Sequence, residues 1–280
     1  MRDRFKIALC QMNVADDKKK NLEKAAEMIG VSAENNCGMA VLPEMFNCPY
    51  DSSKFATYAE AAETGETARF ISGISKKHGI YVVAGSIPET EGGKLYNTSL
   101  IFDGNGQIIA KHRKMHMFDI DVKGKITFRE SDALTPGNGI TVVDTGLCRI
   151  GVAICFDIRF PELIRLMALK GAKLIVVPAA FNMVTGPAHW ELTVRARALD
   201  NQVYMAVVSP ARNESANYVA YGNSMAADPW GTAVARAGTG EEIVYADIDI
   251  GFVDRLRNEL PLLKNRRTDV YQINEKGITE

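Results

Sequence analysis

Short apolar runs that alternate with stretches of helical periodicity constrain this chain more than any other feature. Phe5 to Gln11, Met39 to Leu42 and Tyr81 to Ser86 read as strands. Between them, Asn21 to Glu34 and Glu66 to His78 read as helices; Leu22, Ala25, Ala26 and Ile29 share one face of the first, and Gly79 stops the second. Such alternation implies an α/β sandwich. The rhythm then changes. Leu95 to Phe102 and Gln107 to Lys111 flank the hairpin turn Asp103-Gly104-Asn105-Gly106, and Ile140 to Val143 and Cys148 to Ile154 flank a second at Asp144-Thr145-Gly146. Further on, Leu174 to Pro178, Tyr204 to Ser209 and Ile243 to Ile248 read as strands, Ala188 to Asn201 and Gly251 to Glu259 as helices, and Asn223 to Ala235 as a hairpin. The total is about ten to twelve strands and roughly four to six helices. Hairpins mixed with βαβ units indicate a mixed sheet or two sheets.

Composition narrows the class. The chain has 280 residues, 46% hydrophobic and 24% charged, with no Gly/Ser/Pro linker and no fixed-period repeat. One domain over 1–280 is expected, with a polar tail from about Leu262. The formal net charge of −1 predicts no nucleic-acid surface. No apolar run reaches membrane-spanning length, and the N-terminal residues do not read as a signal peptide. The five cysteines are odd in number and lack a Cys-x-x-Cys, so they read as reduced thiols in a cytoplasmic protein. There is no phosphate-binding glycine loop opening a helix, so no nucleotide cofactor is expected. His112 and His116 have a spacing that suits a metal only on a helix, and no third ligand stands out, so no metal site is predicted.

The stretch around Cys155 carries the chemistry. Ile150 to Ile154 is a buried-strand pattern, and Glu162 to Leu169 a helix ended by Gly171. Cys155 stands at the junction, where a strand fixes a side chain and free backbone N–H groups can bind a developing negative charge. It reads as a nucleophile or as a buried structural thiol. Glu44, after the strand end Leu42-Pro43, is a candidate general base whose pKa apolar neighbours would raise; the alternative is a capped surface carboxylate. Lys114 lies in a basic run interleaved with apolar residues. Beside carboxylates it would stay charged and hold an oxyanion; otherwise it ends a solvated strand. Glu130, near Phe128, is uninformative alone.

Taken together, Leu-Pro-Glu44, His-Arg-Lys114 and Ile-Cys155-Phe-Asp resemble the motifs of the nitrilase superfamily of carbon–nitrogen hydrolases. The resemblance runs from Phe5 to about Tyr271 and is nearest to its omega-amidase branch, through segments such as Leu42 to Tyr50, His112 to Asp121 and Thr185 to Leu192. It implies a four-layer αββα sandwich with two mixed sheets that dimerises through helices. It also implies amide hydrolysis through a thioester without metal or organic cofactor. Cys155 would be the nucleophile, Glu44 the base, and Lys114 with the Phe156 N–H the oxyanion donors. Glu130 would position Lys114 or the substrate. The branch's substrates are dicarboxylic-acid monoamides, such as 2-oxoglutaramate or 2-oxosuccinamate. Tyr50, Arg159 and Thr185 match its carboxylate-binding positions, and Phe181 would line the amide end of the pocket. Met45 and Phe156 stand where the family usually has Cys and Tyr. Two other readings remain: an amidase of the same superfamily acting on deaminated glutathione or an N-carbamoyl compound, and a non-catalytic scaffold of this fold.

Overall fold

Strands that are apolar on both faces need a layer against each face, and that requirement organises the fold. The computed structural model describes residues 3–124 and 126–276. Its first half runs β1 (Arg4–Gln11), α1 (Lys18–Glu34), β2 (Cys37–Val41), α2 (Ser52–Tyr58), α3 (Glu66–His78), β3 (Tyr81–Val83), β4 (Ile87–Glu91), β5 (Lys94–Phe102) and β6 (Ile108–Arg113). There follow β7 (Asp119–Val122), β8 (Ile126–Arg129), β9 (Thr141–Asp144), β10 (Arg149–Val152), α4 (Pro161–Leu169), β11 (Leu174–Pro178), α5 (Gly186–Asn201), β12 (Tyr204–Val208), β13 (Met225–Ala227), β14 (Ala233–Arg236), β15 (Glu242–Asp249) and α6 (Ile250–Glu259).

The first sheet has seven strands in the order β15-β1-β2-β3-β5-β4, with β6 on β5; the second has six, β14-β13-β12-β11-β10-β9. Both are mixed: β1-β2-β3 and β10-β11-β12 are parallel, and the flanking pairs are antiparallel. Alternate residues of each strand serve different cores. Ile7, Leu9, Met39 and Val41 pack with Ile150, Val152, Val176 and Ala206 between the sheets. On the outer face of the first sheet, Ala8, Ala40 and Val82 meet Leu22, Ile29 and Ile71 of α1 and α3. On the outer face of the second, Ile175, Val177 and Met205 meet Ile164, Met167, Trp190 and Val194 of α4 and α5. The layers are therefore helix, sheet, sheet, helix, as the four-layer expectation requires.

The strand count exceeds the sequence reading, with fifteen strands and six α-helices among the described residues. β4 carries Pro88 and three polar residues and lies at the end of its sheet's strand order, a position that tolerates a missing donor. β7 and β8 pair only with each other and are mostly exposed, so they carry no core pattern. The predicted tail turns back on the domain: Glu275 pairs with Lys170 beyond α4 at 2.6 Å. Its last four residues, 277–280, lie outside the described ones.

Candidate active site

Three loops leave the carboxyl ends of β2, β6 and β10, and each delivers one functional side chain. After β2, Leu42 N–H donates to Val83 O at 3.0 Å, which extends the strand pairing up to Pro43. The chain then turns sharply at Met45, which has φ +51, in the left-handed region that non-glycine residues avoid. Ser86 fastens this turn: its Oγ accepts from Met45 N–H at 3.0 Å, and its carbonyl from Phe46 N–H at 3.1 Å. Gly85 makes the approach possible. Its φ is +45, and a Cβ there would stand 2.0 Å from Pro43 O. Gly85→Ala is accordingly expected to cost roughly 3 kcal/mol through backbone strain and overpacking. It should lower activity as well, because the displaced peptide is the one before Glu44. Urea unfolding and ammonia release, measured on the same preparation, check this.

Glu44 and Lys114 are both completely buried. Glu44 Oε1 accepts from Lys114 Nζ at 3.0 Å and from Asn97 Nδ2 at 2.8 Å, while Oε2 has no hydrogen-bond partner among the described residues. Lys114 Nζ also donates to Glu130, 2.8 Å from Oε1 and 2.7 Å from Oε2. Glu130 is itself held by Phe118 N–H at 2.7 Å and by the Tyr50 hydroxyl at 3.2 Å. One ammonium thus faces two carboxylates. Burial pushes the Glu44 carboxyl up, and neighbouring Glu130 adds to this against the opposing pull of Lys114. For Lys114, burial favours the neutral amine, but Glu130 and Glu44 outweigh it and hold the group above the ordinary lysine range.

Cys155 is 3% exposed and opens a single 3-10 turn, Cys155–Arg159, between β10 and α4. Its φ of +47 is again left-handed. Two strained backbone positions therefore flank the same cluster, a placement typical of functional sites. Ala180 N–H points at the sulfur, 3.5 Å away. Burial raises the Cys155 thiol well above the ordinary range, and the adjacent Glu44 carboxylate raises it further. The sulfur is thus a neutral thiol at rest, beside a carboxyl group whose proton affinity burial has raised. That arrangement can move a proton from sulfur to oxygen only as the sulfur gains a new bond.

Asp157 joins the loops, and its role was not read from the sequence. It accepts from Ile154 N–H at 3.0 Å, just before Cys155, and from Met115 and His116 N–H at 3.2 and 2.9 Å, just after Lys114. His112 Nε2 and His116 Nδ1 lie 3.3 and 2.7 Å from its oxygens. Burial disfavours its charge, yet the two histidines and these N–H groups hold its carboxyl far below the ordinary carboxylate range. The two histidines thus share a carboxylate, and no cluster of three or more metal-ligating side chains occurs among the described residues. Asn97 of β5, which donates to Glu44, is the other contact not read from the sequence.

The remaining predicted residues divide into two groups. Phe156, Arg159, Phe181 and Thr185 line one small cavity with Cys155. The Arg159 guanidinium lies over the Phe181 ring at 4.6 Å and against His189 Nδ1 at 3.1 Å, and it makes no ion pair among the described residues. Tyr50 is the exception. It stands on the Glu130 side and lines a separate, larger cavity with Glu44.

The chain matches the carbon–nitrogen hydrolase family over residues 6–258. It belongs to that family. Among curated proteins, it is 49% identical to omega-amidase NIT2-A of Xenopus laevis over 98% of this chain and 99% of that one. It is 47% identical to omega-amidase NIT2 of Mus musculus over 97% and 98%. Among solved structures, it resembles Saccharomyces cerevisiae Nit3, a member of branch 10 of the nitrilase superfamily, with TM-score 0.87 and 43% identity over 94% of this chain and 97% of that one. The Caenorhabditis elegans NitFhit protein gives TM-score 0.89 at 35% identity, covering 97% of this chain and 68% of that one. Carbon–nitrogen hydrolases of this fold thus share the layered arrangement described above. No helix among the described residues is long and apolar enough to cross a membrane, and all five cysteines are free.

Proposed function

We propose that this chain, an amidase of the nitrilase superfamily, hydrolyses the terminal amide of dicarboxylic-acid monoamides such as 2-oxoglutaramate and 2-oxosuccinamate through a thioester on Cys155. The observation that carries the reading is the Arg159 guanidinium, without an ion-pair partner among the described residues, in the cavity that holds the Cys155 thiol. A linear substrate with an amide at one end and a carboxylate at the other satisfies both.

In the first half-reaction the sulfur bonds to the amide carbon while Glu44 takes the thiol proton. Charge develops on the carbonyl oxygen, and Lys114 and the Phe156 N–H stabilise it. That N–H lies in the first turn of a short helix, where donors lack intrahelical partners. Protonation of Glu44 removes one of the two anions that hold Lys114, so the ammonium binds the oxyanion more strongly in the transition state than in the ground state. The C–N bond then breaks, and Glu44 gives its proton to departing ammonia. In the second half-reaction water adds to the thioester as Glu44 takes its proton. The C–S bond breaks, and the proton returns to sulfur. No step requires a metal or organic cofactor. A homo-oligomer in the cytoplasm is part of the same reading; exposed Leu192 and Leu199, seven residues apart on α5, support an apolar contact there.

Ammonia release from 2-oxoglutaramate, succinamate, an N-carbamoyl amino acid and deaminated glutathione, compared side by side, tests the substrate class. Arg159 gives a sharper test. A charge-assisted hydrogen bond contributes about 1.5–3 kcal/mol, so Arg159→Ala should lower kcat/KM for succinamate by roughly ten- to hundred-fold. A neutral monoamide of equal length should be a poor substrate and lose little in the variant. Equal losses on both substrates would make Arg159 structural.

A further inference from the structure

Two cavities meet at Ala180 and Tyr218, and they differ in size. The cavity shared by Cys155, Arg159 and Thr185 leaves no room for a water-sized sphere. The neighbouring chamber, which reaches Glu44 from the side of Tyr50 and the loop after β12, has a volume of about 330 Å³. That is the size of a small-ligand pocket, yet Cys155 does not line it. An amide in the open chamber is therefore separated from the sulfur, and the sulfur's own compartment has no space for it.

Two residues belong to both cavities, Ala180 and Tyr218. Ala180 follows β11 directly and is completely buried, and its backbone is anchored where neighbouring Ala179 N–H donates to Val208 O at 2.8 Å. Tyr218 sits in the irregular segment between β12 and β13, half-buried, among exposed neighbours such as Ser215 and Asn217. Its hydroxyl donates to Ala180 O. Its ring leans on Tyr50 with centroids 4.5 Å apart and on Phe128 at 6.0 Å. Of the two shared walls, only Tyr218 has a side chain long enough to open a passage by rotating, and among the described residues one side-chain hydrogen bond latches it.

We propose that Tyr218 is the gate through which the amide passes from the 330 Å³ chamber to Cys155, latched by its hydrogen bond to Ala180 O. The proposal rests on the acyl-transfer reading for its meaning, since rotation of Tyr218 is what makes room for the acyl group beside Cys155. In its closed position the same tyrosine fixes Ala180, whose N–H faces the sulfur. Tyr218 is thus a positioning residue. Closure after entry keeps bulk water from a thioester whose hydrolysis Glu44 must direct.

The test is the rate at which iodoacetamide alkylates Cys155 in the folded, full-length protein, followed by peptide mass spectrometry. Tyr218→Phe keeps the ring and removes the latch; labelling should rise about five-fold, the factor of one neutral hydrogen bond. Tyr218→Ala joins the two cavities; labelling should rise by about ten-fold or more while amide turnover falls. A tyrosine that only packs would lower Tm without raising Cys155 labelling, with Cys10, Cys37, Cys48 and Cys148 unmodified throughout as a check on folding. Labelling at or below the wild-type rate in Tyr218→Phe overturns the gate, whether or not Tyr218→Ala folds. Labelling rates decide on the gate, and ammonia release by wild type decides separately on the amidase reading.

Discussion

Cys155→Ala is expected to fold normally and to lose at least about four orders of magnitude in amide turnover, the scale seen when a nucleophile is removed from a preorganised site. Folding should survive because the change removes one sulfur atom and adds no bulk, and the left-handed backbone at φ +47 is as awkward for cysteine as for alanine. Turnover should not survive, because no second thiol can substitute. Burial pushes the thiols of Cys10, Cys48 and Cys148 up to about 12 and that of Cys37 to about 11. Among the described residues none of these four hydrogen-bonds to Glu44 or Lys114, so alanine at any of them should leave most activity. Cys155 is raised as well, but its neighbour is Glu44, the proposed base that would relieve it. A site of this kind stores no thiolate at rest. It should therefore show acyl-enzyme by mass spectrometry only when substrate is present, and no adduct in the alanine variant. Activity retained in Cys155→Ala would remove the thioester from the mechanism.

How far the site could be read from sequence depended on where its information lies. Glu44, Lys114 and Cys155 each follow a strand at the point where its pattern breaks, so local sequence marks them. Asp157 is different. Its position two residues beyond the cysteine was visible, but its function comes from His112, His116 and three backbone N–H groups that only the packing of two sheets brings together. The i,i+4 spacing of the histidines suggested a question about a helix, whereas His112 belongs to β6 and His116 to the loop after it. Tyr218 was hidden for a second reason: it sits among Asn213, Ser215 and Asn217, in a segment with no periodicity at all. The central strands of the two main sheets were legible because they are apolar on both faces, although the residues alone left one mixed sheet or two open. β4, β7 and β8 were not, because their edge or exposed placement removes that signal.

Lys114→Met is expected to damage stability and activity together, and to do so in a pH-dependent way. Methionine matches the length of the lysine stem but leaves Glu44 and Glu130 buried without their shared cation. Breaking a buried ion pair from one side typically costs about 3–5 kcal/mol. For a chain of this size that corresponds to a fall in Tm of roughly 10 °C. Much of the cost is avoidable if a carboxylate takes up a proton. Burial already raises the Glu44 carboxyl above its ordinary 4.5 in the presence of the lysine; without it the opposing pull is gone and the carboxyl rises further. A carboxyl whose folded pKa exceeds its unfolded one binds protons more tightly in the folded state, so stability falls as pH rises from the unfolded value toward the folded one. The deficit of Lys114→Met relative to wild type should therefore be smallest near pH 5 and grow toward pH 8, as urea unfolding at the two pH values would measure. Turnover should fall by at least about three orders of magnitude at every pH. The loss of one oxyanion donor alone accounts for about two to three orders, and the proton that rescues the fold occupies the base that Cys155 needs. A deficit independent of pH would mean that the two carboxylates find another partner when the lysine is gone. Turnover near the wild-type level would remove Lys114 from the oxyanion site.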